Sequence, residues 1–366
     1  MTSKERMLLA LEGQTPDRLP VTIHQWQDYH LQHFMGGMTD IEANRACGLD
    51  ASINCFRLLE TESPSWRVEA QTTPTRDGHE TLYTIHTPEG TLTTREGSNA
   101  MTTWVLEPLV KHAEDIEWIR KYQPVPRFDR RHAFETYDAL GDSGILRTFL
   151  CGKQGGCWQD ACELYGVERL ILATYDDPDW VHRFLQILLA QKLRYIEENL
   201  RGLPFDLVET GGGASSNTVI SPAIHREFCL PYDQKLHEAL HALGYRVVYH
   251  TCGGMMRILD CILENGCDVS ETLSPAAIGG DIATDGQARQ LHDTLRPKLS
   301  LIGGMDQINL LTYGTPDAIA REVERLFQVF GAGGGYICSA SDHFFEAPVE
   351  NLRAFARAAQ RCSYSA

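Results

Sequence analysis

The stretch Arg-Val-Val-Tyr-His-Thr-Cys-Gly-Gly, residues 246–254, is a short apolar run that ends in polar residues and glycines. A run of β-branched and aromatic residues closed by glycine is typical of a buried strand. Side chains alternate between the two faces of an extended strand, so we expect His250 and Cys252 to face the same way. An imidazole and a thiol on one face are two ligands that Zn²⁺ accepts.

The same pattern of a short apolar run followed by a longer helical stretch recurs along the chain. Candidate strands cover residues 21–24, 51–56, 145–150, 206–210, 246–250, 268–273, 299–302 and 336–339. Candidate helices between the later strands cover residues 179–200, 221–243, 254–265 and 315–330. Alternation of this kind predicts a parallel sheet, and eight strands predict an α/β fold of the (β/α)₈ TIM barrel type.

Two segments stand outside the alternation. The first residues, beginning Met-Thr-Ser-Lys-Glu-Arg-Met, read as an amphipathic helix before the first strand. Residues of about 60–100 alternate β-forming side chains around the turns Arg76-Asp-Gly and Pro88-Glu-Gly, which predicts an inserted antiparallel β meander. We therefore expect residues 1–366 to form a single barrel domain that carries this insertion.

Composition narrows the class of protein. The 366 residues are 43% hydrophobic and 22% charged, and no apolar run reaches the roughly 20 residues that span a bilayer. The net charge of −16 argues against a nucleic-acid partner. Eleven cysteines in a chain of this size favour free thiols in a reducing compartment, and we expect a cytoplasmic protein.

Polar or sulfur-containing side chains close the later strands. They are Glu209, Glu271, Met305, Asp306 and Cys338. Strand C-termini meet at one mouth of a TIM barrel, where its active sites are built. Cys338 added to the His-X-Cys pair would give three zinc ligands and an open fourth position, which is the catalytic arrangement. The alternative is that these cysteines only pack and that the histidine is hydrogen-bonded inside the barrel.

With these residues in view, nearly the whole chain resembles the uroporphyrinogen decarboxylase superfamily. Residues 4–21 look like the opening helix and first strand of that superfamily, and residues 219–232 look like the segment that leads into a later strand. The more specific resemblance is to its zinc-dependent, corrinoid-linked methyltransferases, in which a His-X-Cys closes one strand and a distant Cys closes a later one. The matching residues here are His250, Cys252 and Cys338.

The resemblance implies a zinc enzyme that moves a methyl group between a small substrate and the cobalt of a corrinoid on a partner protein. The small molecule would be a methyl ether or thioether donor or a thiol acceptor, and we favour demethylation of the donor. A homodimer is compatible with the sequence. The decarboxylase branch holds propionate groups with arginines after its first strand, whereas residues 24–30 of this chain contain none. Metal-independent decarboxylation of a non-porphyrin substrate is the alternative, and a barrel that only docks a corrinoid protein is a third hypothesis.

Carboxylates at the strand ends are candidates for roles around the metal. Glu209 is a candidate fourth ligand that substrate displaces, or a cap for the amides of the glycine turn that follows it. Glu271 and Asp306 are candidates to orient His250 through its second ring nitrogen, or are acids of the barrel rim.

The end of the first strand suggests a substrate-binding surface. His24 and Trp26 lie there, and neutral or aromatic side chains suit a small methyl donor. Met305, at the end of the seventh strand, is a third candidate for contact with substrate.

Overall fold

A computed structural model of the chain describes residues 1–61, 63–152 and 154–364. Eight parallel strands form the central sheet, in the order β1-β8-β7-β6-β5-β4-β3-β2. The strands are β1 (Val21–Thr22), β2 (Ala51–Asn54), β3 (Gly144–Phe149), β4 (Leu207–Gly211), β5 (Val247–His250), β6 (Val269–Thr272), β7 (Ser300–Met305) and β8 (Tyr336–Ala340). The predicted TIM barrel is confirmed, and each strand lies at the predicted place to within a few residues.

Asp50 joins the first two strands where the barrel closes. The backbone N–H of Asp50 donates to Val21 O at 2.8 Å, and the N–H of Val21 donates to the Asp50 carboxylate at 3.0 Å. The same carboxylate accepts from Arg6 at 2.8 Å and from Arg18 at 3.0 Å. Two guanidinium groups therefore balance its buried negative charge.

Fourteen α-helical segments are found among the described residues. They are Ser3–Leu11, Asp28–Phe34, Asp40–Cys47, Asp115–Tyr122, Arg130–Leu140, Cys157–Tyr165, Val167–Asp176, Pro178–Tyr195, Pro222–Ile224, Leu230–Ala242, Leu259–Glu264, Asp285–Leu295, Pro316–Phe330 and Val349–Arg361. Wider π-type turns, Ile196–Leu200, His225–Cys229 and Gln307–Thr312, join or extend some of them. Within the part of the chain that the structure describes, no helix has both the length and the apolar character needed to cross a membrane.

One predicted helix is shorter than expected. Residues 254–265 were expected to be helical, but the helix covers only Leu259–Glu264. The carboxylate of Asp281 accepts hydrogen bonds from the backbone N–H groups of Met255 and Met256. These amides are held by a side chain from a distant loop, so residues 254–258 follow that loop instead of a helix.

The predicted meander is a four-stranded antiparallel sheet. Its strands are Arg67–Pro74, Gly78–Thr87, Gly90–Asn99 and Thr103–Glu107, so one strand more is present than the sequence indicated. The two predicted turns connect the first three strands. A small pair, Leu58–Leu59 with Arg127–Phe128, lies on either side of this insertion in the sequence.

The barrel strands have an inner and an outer face. Apolar residues of the inner face form a cluster with the first helix: Ile145, Leu207, Val248, Val269, Ile302, Ile337, Met7, Ala10 and Leu11. The outer face belongs to the larger core between the barrel and its helices. Two positions beyond the inner apolar residues of β3 to β6, on the same face, lie Arg147, Glu209, His250 and Glu271.

Candidate metal centre

An ion network lies inside the barrel near the C-terminal ends of β3, β4 and β6. The Arg147 guanidinium binds Glu209 at 2.6 Å and Glu271 at 2.7 and 3.1 Å. All three side chains are at most 4% exposed. Burial by itself raises the pKa of Glu271, but Arg147 and His250 outweigh it and hold that pKa well below its usual range. Burial dominates at Glu209 and raises its pKa.

His250 connects this network to the barrel mouth. Its Nδ1 lies 3.0 Å from Glu271 Oε1 and 3.6 Å from Glu209 Oε1. Its Nε2 is buried and has no hydrogen-bond partner among the described residues. Burial acts to lower the pKa of His250, but the charges of Cys252 and Glu209 outweigh it and raise the pKa. One nitrogen held by a carboxylate and the other left bare is the usual environment of a metal-binding histidine.

Two more histidines complete the cluster. The ring of His24 lies 4.9 Å from that of His250 and 5.3 Å from that of His343. Candidate ligand atoms fall into two groups, each within 4.8 Å: His24 with Glu209, His250 and Glu271, and His24 with Asp342 and His343. Burial lowers the pKa of His24 to about 3 and also lowers the pKa of His343. His343 Nε2, like His250 Nε2, is buried without a partner among the described residues.

Cys252 lies beside His250, as the sequence indicated. Its side chain is partly exposed, and the Gln154 amide lies 3.9 Å from its Sγ. Gly213 packs so close that a Cβ there would lie 2.7 Å from Sγ. The thiol is thus held at the mouth by two loops and still reaches solvent.

Cys338 does not join His250 and Cys252. Its neighbour Ile337 belongs to the inner cluster, so the alternation of β8 turns Cys338 outward. Burial raises its pKa to about 12, and the groups around it are Tyr336, Glu322 and Cys362, on the helix side of the barrel. The three-ligand set predicted from the sequence is therefore not assembled in this structure, because its third member lies on the other face of its strand.

Asp306 also has a different role from the one expected. Its Oδ1 accepts from the backbone N–H groups of Ile308 and Asn309 at 2.9 and 2.7 Å, and its Oδ2 accepts from the Asn309 amide. It caps the helical turn after β7 and does not contact His250. Glu271, in contrast, contacts Nδ1 of His250 and is placed to orient its ring, which is the role the sequence suggests.

The three candidate substrate-binding residues do not lie together in the structure. His24 is inside the cluster. Trp26 is 4% exposed and packs against His30 and Phe344, with ring separations of 5.3 and 5.8 Å. Met305 is fully buried in the outer core. Only His24 of these three lies among the candidate metal ligands.

Sequence reasoning missed Arg147, Asp342 and His343. An arginine inside the apolar run Ile-Leu-Arg-Thr-Phe was a visible signal, because a charge in a buried strand needs a partner. Asp342 and His343 follow β8 by two and three residues, and polar residues directly after a barrel strand belong to the mouth.

Imidazole nitrogen and cysteine sulfur at this mouth are ligand types that a zinc ion accepts, and His24 is common to the two groups of neighbouring ligand atoms that contain His250 and His343. Zn²⁺ accepts imidazole nitrogen and thiolate sulfur, and a catalytic site needs three protein ligands with one open position. His250 Nε2 and His343 Nε2 are buried donors without a partner among the described residues, and Cys252 supplies sulfur at the mouth. Glu271 is already placed to hold the ring of His250.

Fold and site together define an α/β barrel with a candidate metal centre at the C-terminal ends of its strands. The family model of uroporphyrinogen decarboxylase (URO-D) matches residues 98–362. The chain therefore belongs to the uroporphyrinogen decarboxylase family.

Individual relatives carry two different activities in their names. A uroporphyrinogen decarboxylase of Shewanella halifaxensis is 30% identical over 178 residues, which are 46% of this chain and 45% of the relative. A methylated-thiol–coenzyme M methyltransferase of Methanosarcina mazei is 24% identical over 198 residues, 54% of this chain and 49% of the relative. The chain thus aligns with about half the length of each.

A solved structure shares the fold over almost the whole chain. It is a methyltransferase from Methanosarcina mazei, with a TM-score of 0.66, 17% sequence identity and 98% of both chains covered. At this identity the likeness concerns the fold alone.

Proposed function

We propose that the chain is a zinc-dependent methyltransferase that moves a methyl group between a small substrate and the cobalt of a corrinoid on a partner protein. The observation that carries the proposal is the bare, buried Nε2 of His250 beside the partly exposed Cys252 at the barrel mouth. Family membership and the methylated-thiol methyltransferase among the relatives support the reaction type.

His250, Cys252 and His343 would hold the zinc in this proposal. The two histidines are chosen because each has a buried Nε2 without a partner among the described residues. Bound zinc supplies Lewis acidity, which deprotonates a substrate thiol or stabilises a departing thiolate or alkoxide.

The surrounding residues prepare the ligands. With Glu271 ionised, Nδ1–H of His250 donates to Oε1, so Nε2 is the ring nitrogen that a zinc ion would bind, displacing any proton held there. Arg147 holds that carboxylate with two hydrogen bonds and also binds Glu209. Two carboxylates can share this space because the guanidinium lies between them. The partly exposed Cys252 leaves the centre open to a large partner at the mouth.

The proposed direction is demethylation of the small donor. Burial lowers the pKa of His24, which is therefore neutral at physiological pH, so the end of β1 offers an uncharged side chain to a neutral methyl donor. Consumption of a methyl ether or thioether with reduced cobalamin, compared with consumption of methylcobalamin with a thiol, tests the direction.

Zinc content is the direct test of the proposal. We expect about one zinc per chain after dialysis and little in His250→Ala, Cys252→Ala or His343→Ala. The exposed His33→Ala variant is the matched control and should keep its metal. X-ray absorption at the zinc edge counts the sulfur ligands. One sulfur would support the proposed ligand set, whereas two sulfurs would indicate that Cys338 is also a ligand. Absence of zinc from the native chain would contradict the proposal.

Metal-independent decarboxylation is the second candidate, because a uroporphyrinogen decarboxylase is among the relatives. Both terminal nitrogens of Arg147 already bind Glu209 or Glu271, and its Nε is buried, so its positive charge is balanced before any substrate carboxylate arrives. Release of CO₂ from a carboxylated substrate that continues after zinc removal would favour this candidate.

A further inference from the structure

The strand Arg67–Pro74 lies at one edge of the meander sheet, and we call it the edge strand. Successive side chains of a strand point to opposite faces, yet all eight residues of the edge strand are exposed. Even Val68, which pairs with the buried Ile85, is 51% exposed. Both faces of the edge strand therefore reach solvent, which leaves room for another strand beside it.

The backbone groups of the edge strand point alternately to its neighbour and to the outside. It pairs without a break with the strand Gly78–Thr87, and in the turn between them Thr75 N–H donates to Gly78 O at 3.0 Å. Hydrogen-bonded and non-hydrogen-bonded positions alternate in an antiparallel pair, so the odd-numbered residues bond the neighbouring strand. Pro74 lies at an outward position, where its missing N–H costs no bond of the sheet.

The outward backbone groups are therefore the N–H and C=O of Val68, Ala70 and Thr72. In the described part of the chain, no strand pairs with this edge and no side chain bonds these groups. A row of unpaired N–H and C=O groups is a template for the strand of another chain.

The opposite edge of the same sheet is protected against such pairing. Its strand, Thr103–Glu107, has only five residues, and a bulge at Arg95 and Glu96 interrupts its register with the neighbouring strand. Short strands and bulges are the usual means of keeping an edge from pairing. The edge strand is longer, has a continuous register and contains no lysine.

The edge strand is complementary to a second copy of itself. With a two-fold axis at Ala70, Val68 lies opposite Thr72 of the other copy, and every outward N–H and C=O of the three residues is paired. Glu69 then lies opposite Gln71, whose amide can donate to it, and no like charges are directly opposite. Each Glu69 also keeps Arg67 of its own copy at 3.1 Å.

Neighbouring registers are less favourable. An axis at Gln71 sets the C=O of Val68 against Pro74, which has no N–H. An axis at Glu69 sets two carboxylates directly opposite each other, which is destabilising. The sequence of the edge strand thus selects one antiparallel register for a homodimer.

We propose that two copies of the chain pair antiparallel along the edge strand, with the two-fold axis at Ala70, and so join their meanders into one continuous sheet. A one-strand interface is small, and we expect a dissociation constant on the order of 10 µM. Each copy carries a net charge of −16, so added salt should strengthen the dimer by screening the repulsion.

Sedimentation equilibrium of the full chain at about 1–100 µM tests the proposal. Ala70→Pro removes the N–H at the axis, which the meander itself does not use, so the fold should be kept. Two hydrogen bonds of the dimer are lost, and the dissociation constant should rise about a hundredfold, tenfold for each.

Thr103→Pro is the matched control on the protected edge. Asn99 N–H donates to Thr102 O at 3.0 Å, so the N–H of Thr103 also points outward. This variant should dimerise like the native chain. A native chain that stays monomeric at about 100 µM, or a dimer that Ala70→Pro leaves unchanged, would overturn the proposal.

A charge swap tests the position of the axis. Ala70→Lys or Ala70→Glu alone sets like charges directly opposite and should weaken the dimer, whereas an equal mixture of the two variants should associate more tightly than either. A mixture no tighter than its components would contradict the register, and this result decides if Ala70→Pro fails to fold. The candidate zinc ligands lie outside the meander, so the zinc proposal and this one stand or fall separately.

Discussion

His250 is the last residue of β5 and Cys338 is the middle residue of β8, and the two lie on opposite faces of the barrel wall. His250 points inward, contacts Glu271 and keeps Nε2 bare. Cys338 points outward into the packed layer between strands and helices, where burial keeps it a neutral thiol. The difference shows that a metal-binding residue type in a barrel strand does not by itself make a ligand. The face of the strand decides which side chains reach the mouth.

Polar groups on the two faces also differ in kind. On the outer face, Tyr249 OH donates to Asp233 at 2.9 Å and lies 3.1 Å from His225, and Tyr336 OH donates to Gly303 O at 2.8 Å. These contacts join strands to helices or to each other. The inner face combines a charged network with imidazole nitrogens that have no described partner. We infer that the outer face stabilises the barrel and that the inner face serves chemistry.

The largest expected effect comes from removing the central cation of the inner face. Arg147→Met leaves Glu209 and Glu271 buried without their partner, and we expect a loss of about 3–5 kcal/mol in the free energy of unfolding. Urea denaturation measures it. Arg183→Met is the matched control, because Arg183 is 62% exposed in its ion pair with Glu117 and should contribute no more than about 0.5 kcal/mol. Equal losses of unfolding free energy in the two variants would contradict the view that the buried ion network stabilises the inner face of the barrel.

A buried carboxyl group on the outer face should make the free energy of unfolding depend on pH. Burial raises the pKa of Asp233 from 3.8 to about 7, so the folded chain keeps a proton there that the unfolded chain has lost. The contribution of Asp233 to stability is therefore fully present below about pH 4 and is lost as the pH rises through 7. Asp233→Asn imitates the neutral acid, so the stability of this variant relative to the native chain should rise between pH 4 and 7 and then level off. Parallel pH profiles of the two proteins would show that Asp233 is ionised in the fold.

The sequence predicts the eight strands because each is an apolar run with polar residues or glycine after it. It could not predict the face of Cys338, since Tyr336–Ala340 is buried on both sides and shows no polar alternation. The sequence could predict that His250 and Cys252 lie together. Residues two positions apart in an extended strand are on the same face, whichever face that is. Asp306 does not take the predicted role of orienting His250, because three hydrogen bonds within its own turn hold the carboxylate there.

Asp306 provides a smaller test at the mouth. Asp306→Ala removes the cap of the turn Gln307–Thr312 and should cost about 1–2 kcal/mol of stability without changing zinc content. Thermal or urea unfolding and metal analysis of the same sample give both values. A loss of zinc with little loss of stability would restore Asp306 to the orienting role that its position in the sequence suggested.

Cys338→Ala is expected to have the smallest effect, and it tests the comparison of faces most directly. The variant removes one buried sulfur from the outer core, which should cost about 1 kcal/mol in urea unfolding, similar to the loss of one buried methylene. Its zinc content should equal that of the native chain, whereas Cys252→Ala should lose the metal. Since both changes remove a single thiol, a different zinc content in the two variants would come from where each thiol lies and which way it points. Loss of zinc from Cys338→Ala at unchanged stability would mean that β8 presents this cysteine to the mouth.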